Sequence, residues 1–182
     1  MKVRYGFVPS DLGDVGILWT QRGGAPSVIA VHLPMAESME AAICRDYPGA
    51  VRELHPLLDE LVEWIRGYMN GRIIRFDVAM IDLEQCHAFQ RRVLLKAFEI
   101  PRGKIVSYGR LAEKISAPRA ARAVGTALAG NPFPLIFPCH RVIKSTGRLG
   151  QFGGGVEMKR KLLHMEGVEI SEKGRVAQEY LW

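Results

Sequence analysis

The chain has 182 residues, 48% of them hydrophobic and 24% charged, with 19 glycines and 10 prolines. That is the composition of an ordinary globular protein and excludes a collagen-like or disordered one. No run of about 18 apolar residues is present, and the most apolar stretch, 127–139, is broken by Pro132, Pro134 and Pro138, so no membrane-spanning helix is expected. The N-terminus has no apolar core followed by a small-residue cleavage site, so no signal peptide is expected. Cys44, Cys86 and Cys139 lie far apart without a Cys-x-x-Cys pair, a poor disulfide framework, and a cytoplasmic location follows as the expectation. The formal net charge of +6 is unevenly placed: residues 1–83 carry 8 Lys and Arg against 11 Asp and Glu, whereas residues 84–182 carry 17 against 8. A basic half either faces a polyanion, most often nucleic acid, or is a solvated surface kept for solubility; charge alone leaves both open.

In chain order, Val3–Val8, Val15–Thr20 and Ser27–Leu33 are β-prone runs separated by Pro9-Ser10-Asp11, Arg22-Gly23-Gly24 and Pro34. The spacing of Leu54, Leu57, Leu58, Leu61, Val62, Ile65 and Met69 predicts a helix closed by Gly71. Ile73–Leu83 is expected to add a further strand before a boundary near 82–85. Residues 1–83 thus form a small mixed domain in which nothing looks catalytic.

The second half changes character. His87–Ile100 reads as an amphipathic helix, with Phe89, Val93 and Ala97 on one face beside Leu94 and Phe98, ended by Pro101-Arg102-Gly103. After an extended Ile105–Tyr108 come two short helical segments, Gly109–Ile115 and Arg119–Ala129, the second opened by Pro118 in its first turn. Two short helices joined tightly in a basic region read as a helix-turn-helix. The second helix carries almost only small side chains around Arg122. It lacks the Asn, Gln and Lys that read base edges, and suits close, sequence-independent approach to a minor groove; an Ala-rich core helix is the other reading.

In Asn131-Pro132-Phe133-Pro134-Leu135-Ile136-Phe137-Pro138-Cys139-His140-Arg141-Val142 three prolines are expected to stiffen an extended path that fixes Cys139. A thiol becomes a useful nucleophile when a base or positive field favours its thiolate. Adjacent residues on an extended strand point to opposite faces, so contact between Cys139 and His140 needs a bend or a bridging water. A buried Cys beside a hydrogen-bonded His is the plainer reading of that dipeptide. His32, Cys44, His55, Cys86 and His87 have no metal-ligand spacing.

Pro138-Cys139-His140-Arg141-Val142 resembles the active-site signature of the O-6-alkylguanine-DNA alkyltransferases. Ser107-Tyr108-Gly109, Ala120-Ala121-Arg122-Ala123-Val124-Gly125, Gly130-Asn131-Pro132, Gly150-Gln151-Phe152-Gly153-Gly154-Gly155 and Glu166-Gly167 follow in the family's order over roughly residues 86–168. The resemblance implies an α+β protein: an N-terminal RNase H-like sheet and helix domain (1–83), a mostly helical winged-helix, helix-turn-helix domain (84–170) and a tail (171–182). It implies transfer of an alkyl group from guanine oxygen in double-stranded DNA to Cys139, with O-4-alkylthymine a further candidate substrate. The transfer runs once per molecule, after the nucleotide is flipped out, and needs no metal and no cofactor. By the same resemblance His140 is the water-linked base, Glu166 orients it, Tyr108 assists flipping and donates to the leaving guanine, and Asn131 is the hinge. Arg122 takes the vacated place in the stack. Phe133, Pro134, Phe152, Gly153 and Gly154 line the alkyl pocket, while Gln90, Gly109, Ala121 and Ser145 join Tyr108 at the DNA. A monomer binding the minor groove with little sequence preference is implied.

Phe152 and Gly153 stand where some members carry Tyr and Ser, which removes two hydroxyls that could meet the guanine. Two other classes compete: a damage-flagging alkyltransferase-like protein, which lacks the reactive cysteine, and a helix-turn-helix regulator, which leaves the Pro-Cys-His-Arg-Val segment unexplained.

Overall fold

The computed structural model describes residues 2–182, and their contacts divide the chain into two compact units, with the boundary along the chain between Gln85 and Cys86. In the first unit, β1 (Arg4–Val8), β2 (Val15–Arg22), β3 (Ala25–His32) and β4 (Val51–Arg52) form a sheet in the order β3-β2-β1-β4. β2 pairs antiparallel with β1, Gly6 opposite Ile17, and with β3, Ile17 opposite Val31; β4 joins β1 in parallel. Its central strand is buried on both faces from Val15 to Thr20, which is why its sequence is a continuous apolar run rather than an alternating one. The turn between β2 and β3 is Gly23-Gly24, with φ of +58° and +86°, the backbone that a two-residue hairpin requires.

α1 (Met39–Asp46) and α2 (Asp59–Met69) supply the helices of this unit. Met39 and Ile43 of α1 pack on Tyr5, Leu18, Ile29 and Ala30 of the sheet. The sequence signal for α1 is an N-cap serine, Ser38, whose side chain accepts from the Ala41 N–H, followed by apolar residues at 39, 42 and 43. The helix expected from Leu54 starts later: His55 caps a single 3-10 turn, Pro56–Leu58, and α2 follows from Asp59. Leu54 therefore belongs to the sheet's packing, against Gly6, and Leu57 is 61% exposed. Ile73–Leu83 does not form the expected strand. It crosses the sheet edge irregularly and makes one bridge, Ile81 to Val28.

In the second unit α3 (Ala88–Phe98) packs against a helix-turn-helix of α4 (Tyr108–Lys114) and α5 (Ala121–Ala129). β5 (Val106–Ser107) and β6 (Val142–Ile143) pair in parallel, and α6 (Gly155–Met165) closes the unit. Ser107 caps α4 by accepting from the Arg110 N–H at 3.1 Å, so Tyr108 opens a helix instead of ending a strand. Pro118 does not sit in the first turn of α5. The connection is a turn in which Ser116 and Arg119 have φ of 55° and 71°, and α5 begins at Ala121. The expected extended path to Cys139 is likewise a folded one. Phe137 N–H donates to Phe133 O at 3.0 Å across Leu135, whose φ is 74°. Among the described residues, no helix is long and apolar enough to cross a membrane.

Candidate active site

Cys139 begins a single 3-10 turn, Cys139–Arg141, between the proline-rich turn and β6. That turn supplies the bend which an extended strand would have lacked. It leaves Cys139 only 8% exposed at the base of a cavity of about 730 Å³, lined also by Tyr108, Arg122, Gly150, Phe152 and Gly153, a size typical of small-molecule sites. Asn131 holds the cysteine from the end of α5. Its side-chain N–H donates to Cys139 Sγ at 3.2 Å and to Phe137 O at 2.9 Å, while its oxygen accepts from the Phe133 N–H at 2.9 Å. One carboxamide thus fixes both the turn and the sulfur.

Behind the cysteine lies a buried charged group. His140 is fully buried, and its Nε2–H donates to Glu166 Oε1 at 3.1 Å. Arg141 grips the same carboxylate through two bonds, Nη2 to Oε1 at 2.7 Å and Nε to Oε2 at 2.9 Å, and also donates to Ile100 O. Glu166 ends α6 with its side chain fully covered. Burial alone would raise the carboxyl's pKa, but His140 and Arg141 together outweigh it and hold Glu166 well below the usual carboxylate range. Burial lowers the pKa of His140 despite the opposing pull of Glu166, so at neutral pH the imidazole is uncharged and able to accept a proton. With Nε2 donating to Glu166, the lone pair lies on Nδ1.

Lys159, on α6, was not picked out by its sequence context, yet it is 0% exposed and donates from Nζ to Val142 O at 2.6 Å. Burial lowers its pKa to about 8, against an opposing effect of Cys139. Burial pushes the Cys139 thiol up; the Asn131 N–H, the Lys159 charge and the backbone N–H groups of the 3-10 turn act the other way without cancelling it. The resting thiol is therefore protonated, and a nucleophile forms only when a base removes that proton. Burial, then the neighbouring Cys139, raises the pKa of Tyr108, which keeps its hydroxyl a proton donor. The sequence around Lys159 carries no signal of burial, and Arg141 reads there only as a basic residue beside Cys139-His140.

Within the second unit, residues 88–168 match a known family model, 6-O-methylguanine DNA methyltransferase, DNA binding domain. A methylated-DNA–protein-cysteine methyltransferase of Methanothermobacter thermautotrophicus is 35% identical over 157 residues, covering 86% of this chain and 81% of that protein. The chain belongs to the methylated-DNA–protein-cysteine methyltransferase family. Among solved structures, Mycobacterium tuberculosis O6-methylguanine methyltransferase superposes with a TM-score of 0.71 at 34% identity, covering 90% of this chain and 92% of that one. OGT of the same organism in complex with DNA gives 0.70 at 33% identity over the same shares.

Within this family member, the residues singled out by sequence fall into three groups. Asn131 is bonded to Cys139 and His140 to Glu166, and the two pairs are adjacent through the Cys139-His140 peptide. Tyr108, Arg122, Phe152 and Gly153 line the cavity with Cys139, and Phe152 meets His140 edge-on with ring centroids 6.4 Å apart. The others lie elsewhere. Phe133 is fully buried against Phe137, Pro134 is buried beside it, and neither lines the cavity. Gly154 caps α6. Gln90 donates to Ala127 O and Gly130 O at 3.1 and 2.8 Å, terminating α5 from within the unit. Gly109 and Ala121 are partly exposed near the starts of α4 and α5, and Ser145 is exposed in the turn after β6.

Proposed function

We propose that this protein repairs alkylated DNA by direct reversal, taking the alkyl group from the O-6 position of guanine onto Cys139 Sγ. The observation that carries the reading is Cys139, held by Asn131, in a cavity lined also by Tyr108 and Arg122, with the next residue in the chain, His140, bonded to Glu166 and through it to Arg141. In the displacement the sulfur–carbon bond forms as the carbon–oxygen bond breaks, and the electron pair of the broken bond stays on guanine. One proton leaves the thiol for His140, through water, and one reaches the guanine from the Tyr108 side, so the exchange balances. Glu166 stabilises the imidazolium that forms, and Arg141 keeps Glu166 ionised for that purpose. The thioether has no route back to a thiol, so each molecule acts once.

The target atom is stacked inside a duplex, and the nucleotide must be turned out to reach Cys139. The exposed face of α5, Ala123, Thr126 and Ala129 around Arg122, supports close approach to a minor groove, with Arg122 filling the gap in the stack. These contacts are sequence-independent and the acting species is a monomer. A quench assay on duplex DNA containing one O-6-methylguanine tests the reading. Lesion loss should stop at one equivalent of protein and vanish in Cys139→Ala; continued turnover would contradict it.

A further inference from the structure

Residues 171–182 take no part in this chemistry, yet they are tied to the parts that do. At one end, Ile105 N–H donates to Tyr180 O at 2.8 Å and Trp182 N–H donates to Ile105 O at 2.9 Å, so that Leu181 bridges Ile105 in parallel. The ammonium of Lys114 then sits 3.9 Å from the centroid of the Trp182 ring. Nearer the start of the segment, Val176 N–H donates to Gly147 O at 3.0 Å and Arg175 bridges Arg148. Val176 is buried with Ile105, Ile143, Leu149, Leu163 and Val168, and Tyr180 packs against that cluster.

The attachments fall where the site most needs support. β5 and β6 are two residues each, too short to hold a register alone, and β5 delivers Tyr108. Ile105 leads into α4, and Lys114 is its last residue. The three residues Tyr180–Trp182 therefore hold that helix at its entry through backbone bonds and at its exit through a ring under a cation. Val176 meanwhile fixes the turn that leads through Leu149 to Gly150 and Phe152.

We propose that segment 171–182 is a strap that positions the Tyr108 helix over Cys139, with Trp182 a positioning residue for alkyl transfer. The proposal rests on Cys139 being the alkyl acceptor. The test compares full-length wild type, Trp182→Ala and Trp182→Phe by single-turnover transfer at saturating O-6-methylguanine duplex. Alkylation of Cys139 by iodoacetamide across pH is measured in parallel. Trp182→Ala should slow transfer about tenfold with the iodoacetamide pH profile unmoved, and Trp182→Phe, which keeps a ring face for Lys114, should restore most of the rate. An unchanged transfer rate would overturn the strap, as would an equal loss in both reactions, which would mark a general loosening of the unit. Should Trp182→Ala fold poorly, Lys114→Met removes the same contact and should give the same split. Absence of transfer by wild type itself would instead strike the acceptor reading.

Discussion

Asn131 donates to the sulfur of Cys139 at 3.2 Å and, from the same nitrogen, to the carbonyl of Phe137 at 2.9 Å. The residue that ties the end of α5 to the cysteine turn thus also donates a hydrogen bond to the nucleophile. Asn131→Ala should raise the thiol's pKa and slow alkyl transfer by about tenfold, the equivalent of one or two neutral hydrogen bonds. The pH dependence of single-turnover transfer checks both. An unmoved profile would mean that the contact only braces the turn.

Glu166 carries the buried charges behind Cys139. Its folded pKa is depressed below the ordinary 4.5, so its contribution is fully present above that value and is lost as pH falls toward the folded pKa. Glu166→Gln leaves Arg141 without its carboxylate and should cost about 3 kcal/mol at pH 7. Thermal unfolding of both proteins between pH 7 and 3 should show that gap closing below pH 4.5.

Lys159 should shape the alkaline side of the reaction. Its pKa, lowered to about 8, means that its positive charge favours the Cys139 thiolate below that pH and disappears above it. The rise of transfer rate with pH should flatten near pH 8 in the wild type. Lys159→Met should be several-fold slower at pH 7 and lack the flattening. Parallel profiles in the two proteins would remove Lys159 from the account.

Two glycines of the cavity should respond differently to alanine. Gly150 has φ of +75°, and a Cβ there would sit 3.2 Å from Tyr108 Oη; left-handed strain of about 1–2 kcal/mol adds to the collision. Gly153 meets nothing within 4 Å. Gly150→Ala should lower the unfolding midpoint by about 4 °C and slow transfer, whereas Gly153→Ala should leave the midpoint in place.

Arg122 is exposed at the cavity wall and, in the proposed function, fills the gap in the base stack. Arg122→Ala should slow transfer from duplex DNA at least tenfold while leaving reaction with free O-6-methylguanine base within twofold. Equal losses on both would assign Arg122 to the chemistry instead of the flipping.

What was readable from sequence follows from how local each signal is. The β2 and β3 runs and the helix-turn-helix rest on neighbouring residues and form nearly where expected, and the α2 stripe holds from Leu61 onward while its first residues fall outside the helix. The Ile73–Leu83 run looks like a strand by composition, but it meets β3 through a single bridge at Ile81, where Val28 N–H donates to Met80 O and Asp82 N–H to Val28 O. The shape of the cysteine segment depends on Asn131 and on left-handed Leu135, neither of which proline content announces. Glu166 shows the limit most clearly: it is 26 residues from His140, and alone it reads as a surface charge at a helix end. Only its resemblance to a family pattern marked it. Phe133 belonged to the same pattern, yet its side chain turns into the core beside Phe137.

The most direct test of the central claim is the mass of the intact protein and of its Cys139 peptide after mixing with duplex DNA carrying one O-6-methylguanine. The account predicts one added methyl on that peptide, none on Cys139→Ala, and guanine restored in the DNA. Tight lesion binding with no change in mass would contradict it and leave a protein that marks damage without repairing it.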